Sequence, residues 1–296
     1  MSQTYRGKII RGVGGFYYVY REDGLIYACR ARGLFRKDKI KPLPGDDAEF
    51  FVTDETDREG SIVQILPRRN RLLRPEIANA DQTLVIFAVW KPEPNTGLLD
   101  RLLIEVEQKE LEPVICFNKT DLAKPGDVDR LKAVYRDAGY PLHFISCTTG
   151  EGIESLRQRL AHKTTVLMGN SGVGKSTLIN LLCPQAQMET GAISEKLKRG
   201  RHTTRHTELF YLSEDSYLMD TPGFSAMELI LPDPADLRFY YKEFDPWYPK
   251  CRFNDCTHTE EKDCAVRIAV QEGRINGERY EQYKEIYLEI KNRKRY

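Results

Sequence analysis

The run Gly169-Asn170-Ser171-Gly172-Val173-Gly174-Lys175-Ser176 has the spacing G-x-x-x-x-G-K-[ST]. Its residue types suit one task, wrapping a polyphosphate. Glycines let consecutive backbone N–H groups close on phosphate oxygens, a lysine ammonium reaches the β and γ oxygens, and a serine hydroxyl ligates Mg²⁺. Lys175 and Ser176 are therefore read as phosphate and Mg²⁺ residues, and Thr177, which opens the helix that follows, is counted among the nucleotide-binding residues. Lys175 also belongs to the catalytic set, because charge develops on the γ-phosphoryl group during its transfer.

A second run, Asn118-Lys119-Thr120-Asp121, carries base selection. Asn118 can bond a purine ring edge. The Asp121 carboxylate can accept from two N–H groups that guanine presents and adenine lacks, so a site built on that pairing rejects adenine. This argues against an ATPase or a P-loop kinase. Ser146-Cys147-Thr148 is read as offering backbone N–H groups to the base. In Asp220-Thr221-Pro222-Gly223, Asp220 is read as holding Mg²⁺ through water and the Gly223 N–H as sensing a γ-phosphate.

Cys251-x4-Cys256-x-His258-x5-Cys264 supplies three thiols and an imidazole. Four protein ligands fill a tetrahedral zinc shell and leave no open position, so the expected metal is one structural Zn²⁺. The remaining cysteines, Cys29, Cys116, Cys147 and Cys183, lie in apolar stretches and are read as core thiols.

These residues need a scaffold of strands and helices. Residues 164–168 form a β-branched apolar strand before the glycine-rich run, and residues 177–182 open a helix after it. Strands over 83–89, 113–117, 142–145 and 217–219 alternate with helices over 98–109, 128–139 and 153–162, the pattern of a mostly parallel sheet with ligands at the strand ends. Ahead of them, short strands over 8–13, 16–20, 25–31, 48–52 and 61–66 suggest a small closed barrel of OB-fold type. Between its third and fourth strands lie Arg30, Arg32, Arg36, Lys37, Lys39 and Lys41, which with Tyr17, Tyr18 and Tyr27 suit either RNA contact or a solvated loop over a filled barrel. The polar stretch around Pro67-Arg68-Arg69-Asn70-Arg71 reads as a linker. Helices are expected over 235–243, 265–272 and 278–293, the last with Tyr280, Tyr283, Tyr287 and Ile290 as a packing stripe. The basic tail Lys291, Arg293, Lys294 and Arg295 suits either RNA contact or the helix dipole.

The 296 residues carry 41% hydrophobic and 30% charged residues and a net charge of +1, so any nucleic-acid contact must come from local patches. No run approaches the ~18 apolar residues of a membrane span. The expectation is a cytoplasmic, monomeric protein with no membrane partner.

In combination, Asn118 to Asp121, the phosphate loop and Asp220 to Gly223 are the guanine, phosphate and metal motifs of the Ras-like GTPases, with the base-reading motif placed first. That order looks like a circular permutation. With the Cys/His cluster added, the whole chain resembles the bacterial ribosome small subunit-dependent GTPase A family. The resemblance implies an α/β P-loop GTPase domain, circularly permuted, over 69–230. An all-β OB-fold barrel over 1–68 precedes it, and a small α-helical zinc domain over 231–296 follows. It also implies GTP/GDP and Mg²⁺ as ligands, the small ribosomal subunit and its rRNA as partners, and subunit-stimulated GTP hydrolysis in late maturation of that subunit. The alternative is an RNA-binding assembly module that uses GTP only as a ligand.

Residues 196–206 are charged, lack apolar periodicity and read as a switch loop ordered by Mg²⁺ and γ-phosphate. By analogy with GTPases carrying Gly-Thr-Thr-Arg here, Thr204 rather than Thr203 takes the Mg²⁺ role. Phe224 stands where Ras-type enzymes carry a water-orienting glutamine, which implies slow intrinsic turnover. His202 or His206, placed on the ribosomal subunit, is expected to orient the water.

Overall fold

The computed structural model describes residues 3–31, 41–73, 75–186, 208–220 and 229–293. It divides into two compact units: Met1–Thr83 with Leu156–Met168 and Lys175–Gly223, and Leu84–Ser155 with Gly169–Gly174 and Phe224–Tyr296.

In the first unit, β1 (Thr4–Val13), β2 (Phe16–Arg21), β3 (Ile26–Ala31), β4 (Asp47–Asp54) and β5 (Glu59–Ile65) close a barrel in the order β1-β2-β3-β5-β4. The β3–β5 pairing is parallel, and the other pairings are antiparallel. Alternate residues point inward, as the two-residue strand period requires, and Ile9, Val19, Tyr27, Cys29, Phe50 and Ile62 fill the core. Five strands therefore stand where the alternation placed them.

The segment read as a linker is bound to the barrel instead. Asp46 is fully buried, and Arg68 donates from Nε to its Oδ1 at 2.6 Å and from Nη2 to its Oδ2 at 2.8 Å. A buried carboxylate demands such a fork. Just beyond, β6 (Arg71–Leu73) and β7 (Glu76–Ala78) form an antiparallel hairpin, and Asn79 donates from Nδ2 to the Gly45 carbonyl at 3.0 Å.

The same unit holds β11 (Thr164–Met168), β12 (Leu209–Ser213) and β13 (Ser216–Asp220). β11 pairs parallel with β13, and β13 pairs antiparallel with β12. β12 was not expected from the sequence. The barrel packs on it: Arg11 and Glu208 form a backbone bridge and a 3.2 Å ion pair, and Tyr20 stacks on Tyr211 at 4.3 Å. α4 (Lys175–Leu182) follows the glycine-rich loop, and Arg157 of α3 (Ile153–Leu160) donates to the Leu181 carbonyl at 3.1 Å.

β8 (Gln82–Ala88) begins in the first unit and runs into the second, where strands stand in the order β10-β9-β8, with β9 (Glu112–Asn118) parallel to β10 (Leu142–Phe144). α1 (Thr96–Gln108) starts at Asn95, whose side chain accepts from Leu98 N, and α2 (Asp127–Tyr135) follows β9. The C-terminal residues belong to this unit. The helix expected over 235–243 is two 3₁₀ turns, Pro234–Tyr240 and Lys242–Phe244. Between them Tyr241 leaves helical dihedrals (φ −112°, ψ 81°), and its buried ring lies 4.5 Å from the Arg279 guanidinium. α5 (Ala265–Gln271) and α6 (Gly277–Asn292) match the apolar periodicity, and Tyr280, Tyr283, Tyr287 and Ile290 are buried together with Ile104 of α1.

α6 also reaches both helices that flank β9. Arg130 of α2 bonds Glu278 at 2.9 Å, and Arg101 of α1 pairs with Glu289 at 2.5 Å. Beneath them Arg279 donates from Nε to Glu243 at 2.7 Å and from Nη1 to Asp100, which also accepts from Tyr135 at 3.0 Å. All three charged side chains are buried. Among the described residues no helix is long and apolar enough to cross a membrane.

Candidate functional site

β9 ends at Asn118, whose side chain ties three loops together. Its Oδ1 accepts from Lys119 N at 2.8 Å and from Cys147 N at 3.3 Å, and its Nδ2 donates to the Val173 carbonyl at 2.9 Å. Lys119 takes a left-handed conformation (φ 65°), and its Nζ reaches the Gly172 carbonyl at 2.6 Å. Asp121 sits in the 3₁₀ turn Thr120–Leu122 and accepts from Ser146 Oγ at 2.5 Å through Oδ1. Ser146 Oγ in turn accepts from Thr148 N at 3.2 Å and Thr149 N at 3.1 Å. The structure thus brings Asn118, Lys119, Asp121, Ser146 and Cys147 into one hydrogen-bonded cluster. Burial pushes the Cys147 thiol up to about 11, offset in part by Asn118, which leaves it protonated at neutral pH.

The residues Gly169, Asn170, Ser171, Gly172, Val173 and Gly174 form the turn that follows β11. Only glycine fits at two of these places. A Cβ on Gly169 (φ +153°) would lie 2.2 Å from the Ile86 carbonyl oxygen, and one on Gly174 (φ +99°) 2.3 Å from Asn118 Nδ2. Asn118 and the glycine-rich turn therefore touch at a point that tolerates no side chain. Lys175, Ser176 and Thr177 are the first residues of α4. Asp220 ends β13, opposite Leu167 of β11. His202, Thr203, Thr204, His206, Gly223 and Phe224 lie outside the described residues.

In the C-terminal part, the ligand atoms of Cys251, Cys256, His258 and Cys264 all lie within 4.8 Å of one another. His258 Nδ1 stands 3.6 Å from Cys251 Sγ and 3.4 Å from Cys264 Sγ. Burial lowers the His258 imidazole to about 4 and raises the Cys256 and Cys264 thiols. A neutral imidazole amid buried thiols is a donor set for a soft cation that draws off the thiol protons, so the residues fit zinc. The loop that carries His258 is held from three sides. Burial works to raise the Glu261 carboxyl, yet bonds from the Thr257 hydroxyl and N–H, each 2.6 Å, hold it at about 2. Tyr280 donates to the His258 carbonyl at 2.7 Å and Tyr283 to the Thr257 carbonyl at 2.5 Å.

Of the basic stretch on the barrel, Arg30 lies 4.6 Å from the Phe16 ring and Lys41 pairs with Glu76 at 2.5 Å, while Arg32, Arg36, Lys37 and Lys39 lie outside the described residues. Tyr27 is fully buried and donates to Glu55, so it fills the barrel and cannot stack a base. Tyr18 lies under the Arg11 guanidinium at 4.1 Å.

Reading the sequence missed the tyrosines that steady the His258 loop, the buried Arg279 cluster and the Thr120–Glu151 contact. The helical tyrosine stripe was visible, but not that the Tyr280 and Tyr283 hydroxyls point at the loop of the Cys/His cluster. An acidic residue on α1 and a basic one on α6 are 179 positions apart and carry no local signal.

Comparison with known proteins agrees along the chain. The profile of the RsgA GTPase family matches residues 65–230, and that of the RsgA N-terminal domain matches residues 6–62. A protein of Agathobacter rectalis called small ribosomal subunit biogenesis GTPase RsgA is 48% identical, covering 98% of this chain and 99% of its own. One of the same name from Caldanaerobacter subterraneus subsp. tengcongensis is also 48% identical, over 98% of this chain and 97% of its own. Among solved structures, YjeQ from Thermotoga maritima aligns at TM-score 0.79 and 35% identity, covering 99% of this chain and 100% of that one. YloQ, described as a circularly permuted GTPase, aligns at TM-score 0.76 and 35% identity, covering 99% and 98%. The glycine turn behind β11, the Asn118 loop after β9 and the barrel ahead of both stand in a chain that belongs to the RsgA GTPase family.

Proposed function

We propose that this chain is a Mg²⁺-dependent GTPase acting in biogenesis of the small ribosomal subunit, with hydrolysis stimulated by that subunit. The single observation that carries the reading is Asn118, which bonds the base-selection loop, the Cys147 amide and the glycine-rich turn at once. In this reading Asn118, Lys119, Asp121, Ser146 and Cys147 take the guanine. Gly169, Asn170, Ser171, Gly172, Val173, Gly174, Lys175, Ser176 and Thr177 take the phosphates. Ser176, Thr204 and Asp220 would hold Mg²⁺, which neutralises phosphate charge when bound, and the Gly223 N–H senses the γ-phosphate. Cys251, Cys256, His258 and Cys264 would hold one zinc ion as a structural staple. The three-domain division at 1–68, 69–230 and 231–296, rRNA contact through the barrel, a monomeric state and a cytoplasmic location belong to the same proposal.

Asp121→Asn tests the guanine reading. Exchanging the carboxylate for an amide replaces one acceptor by a donor, so the variant is expected to lose guanine nucleotides by about 100-fold or more. It should gain xanthine nucleotides in competition binding. Guanine preference intact in that variant would sink the assignment.

Phe224 cannot orient water, which favours slow turnover by the chain alone. Single-turnover GTP hydrolysis with small subunits, with large subunits and with neither tests the coupling. Stimulation by small subunits alone is the expected result, and its absence would leave the assembly-module reading. Catalysis by the switch histidines predicts that His202→Ala or His206→Ala loses about 10²–10⁴-fold of the stimulated rate with GTP binding retained. Full stimulated rates in both variants would remove the histidines from the mechanism.

A further inference from the structure

Thr120 occupies the variable position of the base-selection motif, between Lys119 and Asp121, and its side chain makes a contact that the motif does not require. Its Oγ1 donates to Glu151 Oε2 at 2.8 Å. Glu151 stands at the far end of the Ser146 loop, which returns on itself: Ser146 N donates to the Glu151 carbonyl at 3.0 Å and Gly150 N to the Ser146 carbonyl at 2.9 Å. The Thr120 backbone closes the figure from the other side, donating to the Ile145 carbonyl at 3.2 Å. Asp121 is thus gripped twice, directly by Ser146 Oγ on Oδ1 and through its own turn by Glu151.

We propose that Glu151 is a positioning residue for guanine discrimination: by holding Thr120 it fixes the short turn that aims the Asp121 carboxylate at the base edge. The inference rests on the guanine reading of Asp121 given above. Its physical content is that Asp121 must meet two donors at once. Inosine keeps the ring N–H but lacks the 2-amino group, so the ratio of inosine to guanosine diphosphate dissociation constants reports the second contact alone. A loosened turn weakens that contact first, because a bidentate acceptor tolerates little displacement. Without Ser146 the carboxylate loses a direct donor. Without Glu151 it keeps that donor but loses its aim.

The chemistry of the side chains separates aim from bulk. Glu151→Gln keeps an oxygen that accepts from Thr120, and Thr120→Ser keeps the hydroxyl that donates. Glu151→Ala and Thr120→Val each remove one end of the bond. Competition of guanosine, inosine and xanthosine diphosphates against a fluorescent guanosine diphosphate, on the full chain with thermal melts alongside, is the test. The expected result is that Glu151→Ala and Thr120→Val each compress the inosine-to-guanosine ratio by about 3- to 10-fold, the scale of one hydrogen bond. The double variant should do no more than either single one. Glu151→Gln and Thr120→Ser should stay within about 2-fold of the parent, because the bond survives in both. A role confined to stability would shift the melts and leave the ratio alone. An unchanged ratio in Glu151→Ala or Thr120→Val overturns the proposal, as does equal compression in the conservative pair. Asp121→Asn is run beside them. A switch toward xanthosine diphosphate upholds the guanine reading, so an unchanged ratio then counts against Glu151 alone. No switch removes the reading on which Glu151's role stands.

Discussion

Stripping the proposed zinc with a chelator, or replacing Cys264 with serine, is expected to melt the C-terminal helices and lower the stability of the second unit by about 5 kcal/mol or more. Structural zinc in small domains contributes roughly 10–16 kcal/mol to folding, and the core shared with Ile104 retains part of this unit's stability without it. For a unit of this size the loss corresponds to a fall of about 10–20 °C in melting temperature. The bonds from Glu261, Tyr280 and Tyr283 hold the loop's backbone but supply no positive charge to the thiols. His258 and Asp263 both take left-handed backbone (φ 59° and 58°), and the desolvated thiols of Cys256 and Cys264 gain nothing from burial as a charged set unless a cation is present. The measurement is metal content per chain together with a melt followed by Trp247, which packs against this core. One zinc per chain and a chelator-sensitive melt are expected. A metal-free protein with an unaltered melt would remove the zinc assignment.

The second large effect concerns Arg279. Its guanidinium lies between Asp100 and Glu243, all three buried, with the rings of Tyr241 at 4.5 Å and Tyr135 at 5.3 Å beside it. Arg279→Met leaves two carboxylates in an apolar interior with no counter-charge and should cost about 3–5 kcal/mol. Burial already raises the Asp100 carboxyl to about 6, against the opposing pull of Arg279. A carboxyl raised on folding contributes stability that is complete below its unfolded value and is lost as pH climbs through the folded one. Removing the cation raises it further. The deficit of the variant should therefore be smallest near pH 5 and largest near pH 8, read by denaturant melts at both. A variant within about 1 kcal/mol of the parent at pH 8 would mean that the cluster does not bear on stability. Replacing Arg279, Asp100 and Glu243 together by apolar residues of like size should recover most of the loss, since the cost arises from unpaired charge and not from volume.

Which parts of this protein were legible in one dimension follows from the range of the forces involved. The barrel strands, the Tyr280–Ile290 stripe and the strand-turn-helix around Gly169 are written in alternation, helical period and glycine placement, all local properties, and they stand where the sequence placed them. The linker reading of residues 67–71 missed because a polar, turn-rich run looks the same whether water or a buried Asp46 answers its arginines. The helix expected over 235–243 missed because burial of Tyr241 outweighs a modest helical preference. Tyr27 was open to either reading, and only the closed barrel turns it inward.

The residue types and spacings by themselves determined the chemistry on offer: a phosphate-wrapping turn, a carboxylate suited to guanine and a Cys₃His set, because each depends on functional groups a few residues apart. Tertiary structure alone decided that Asn118 joins the loop after β9 to the glycine turn, that Glu151 grips Thr120, and that Arg279 draws the C-terminal helices onto α1. Those pairings span from 31 to 179 positions, and over such distances contact is set by how whole elements pack, which no local pattern encodes.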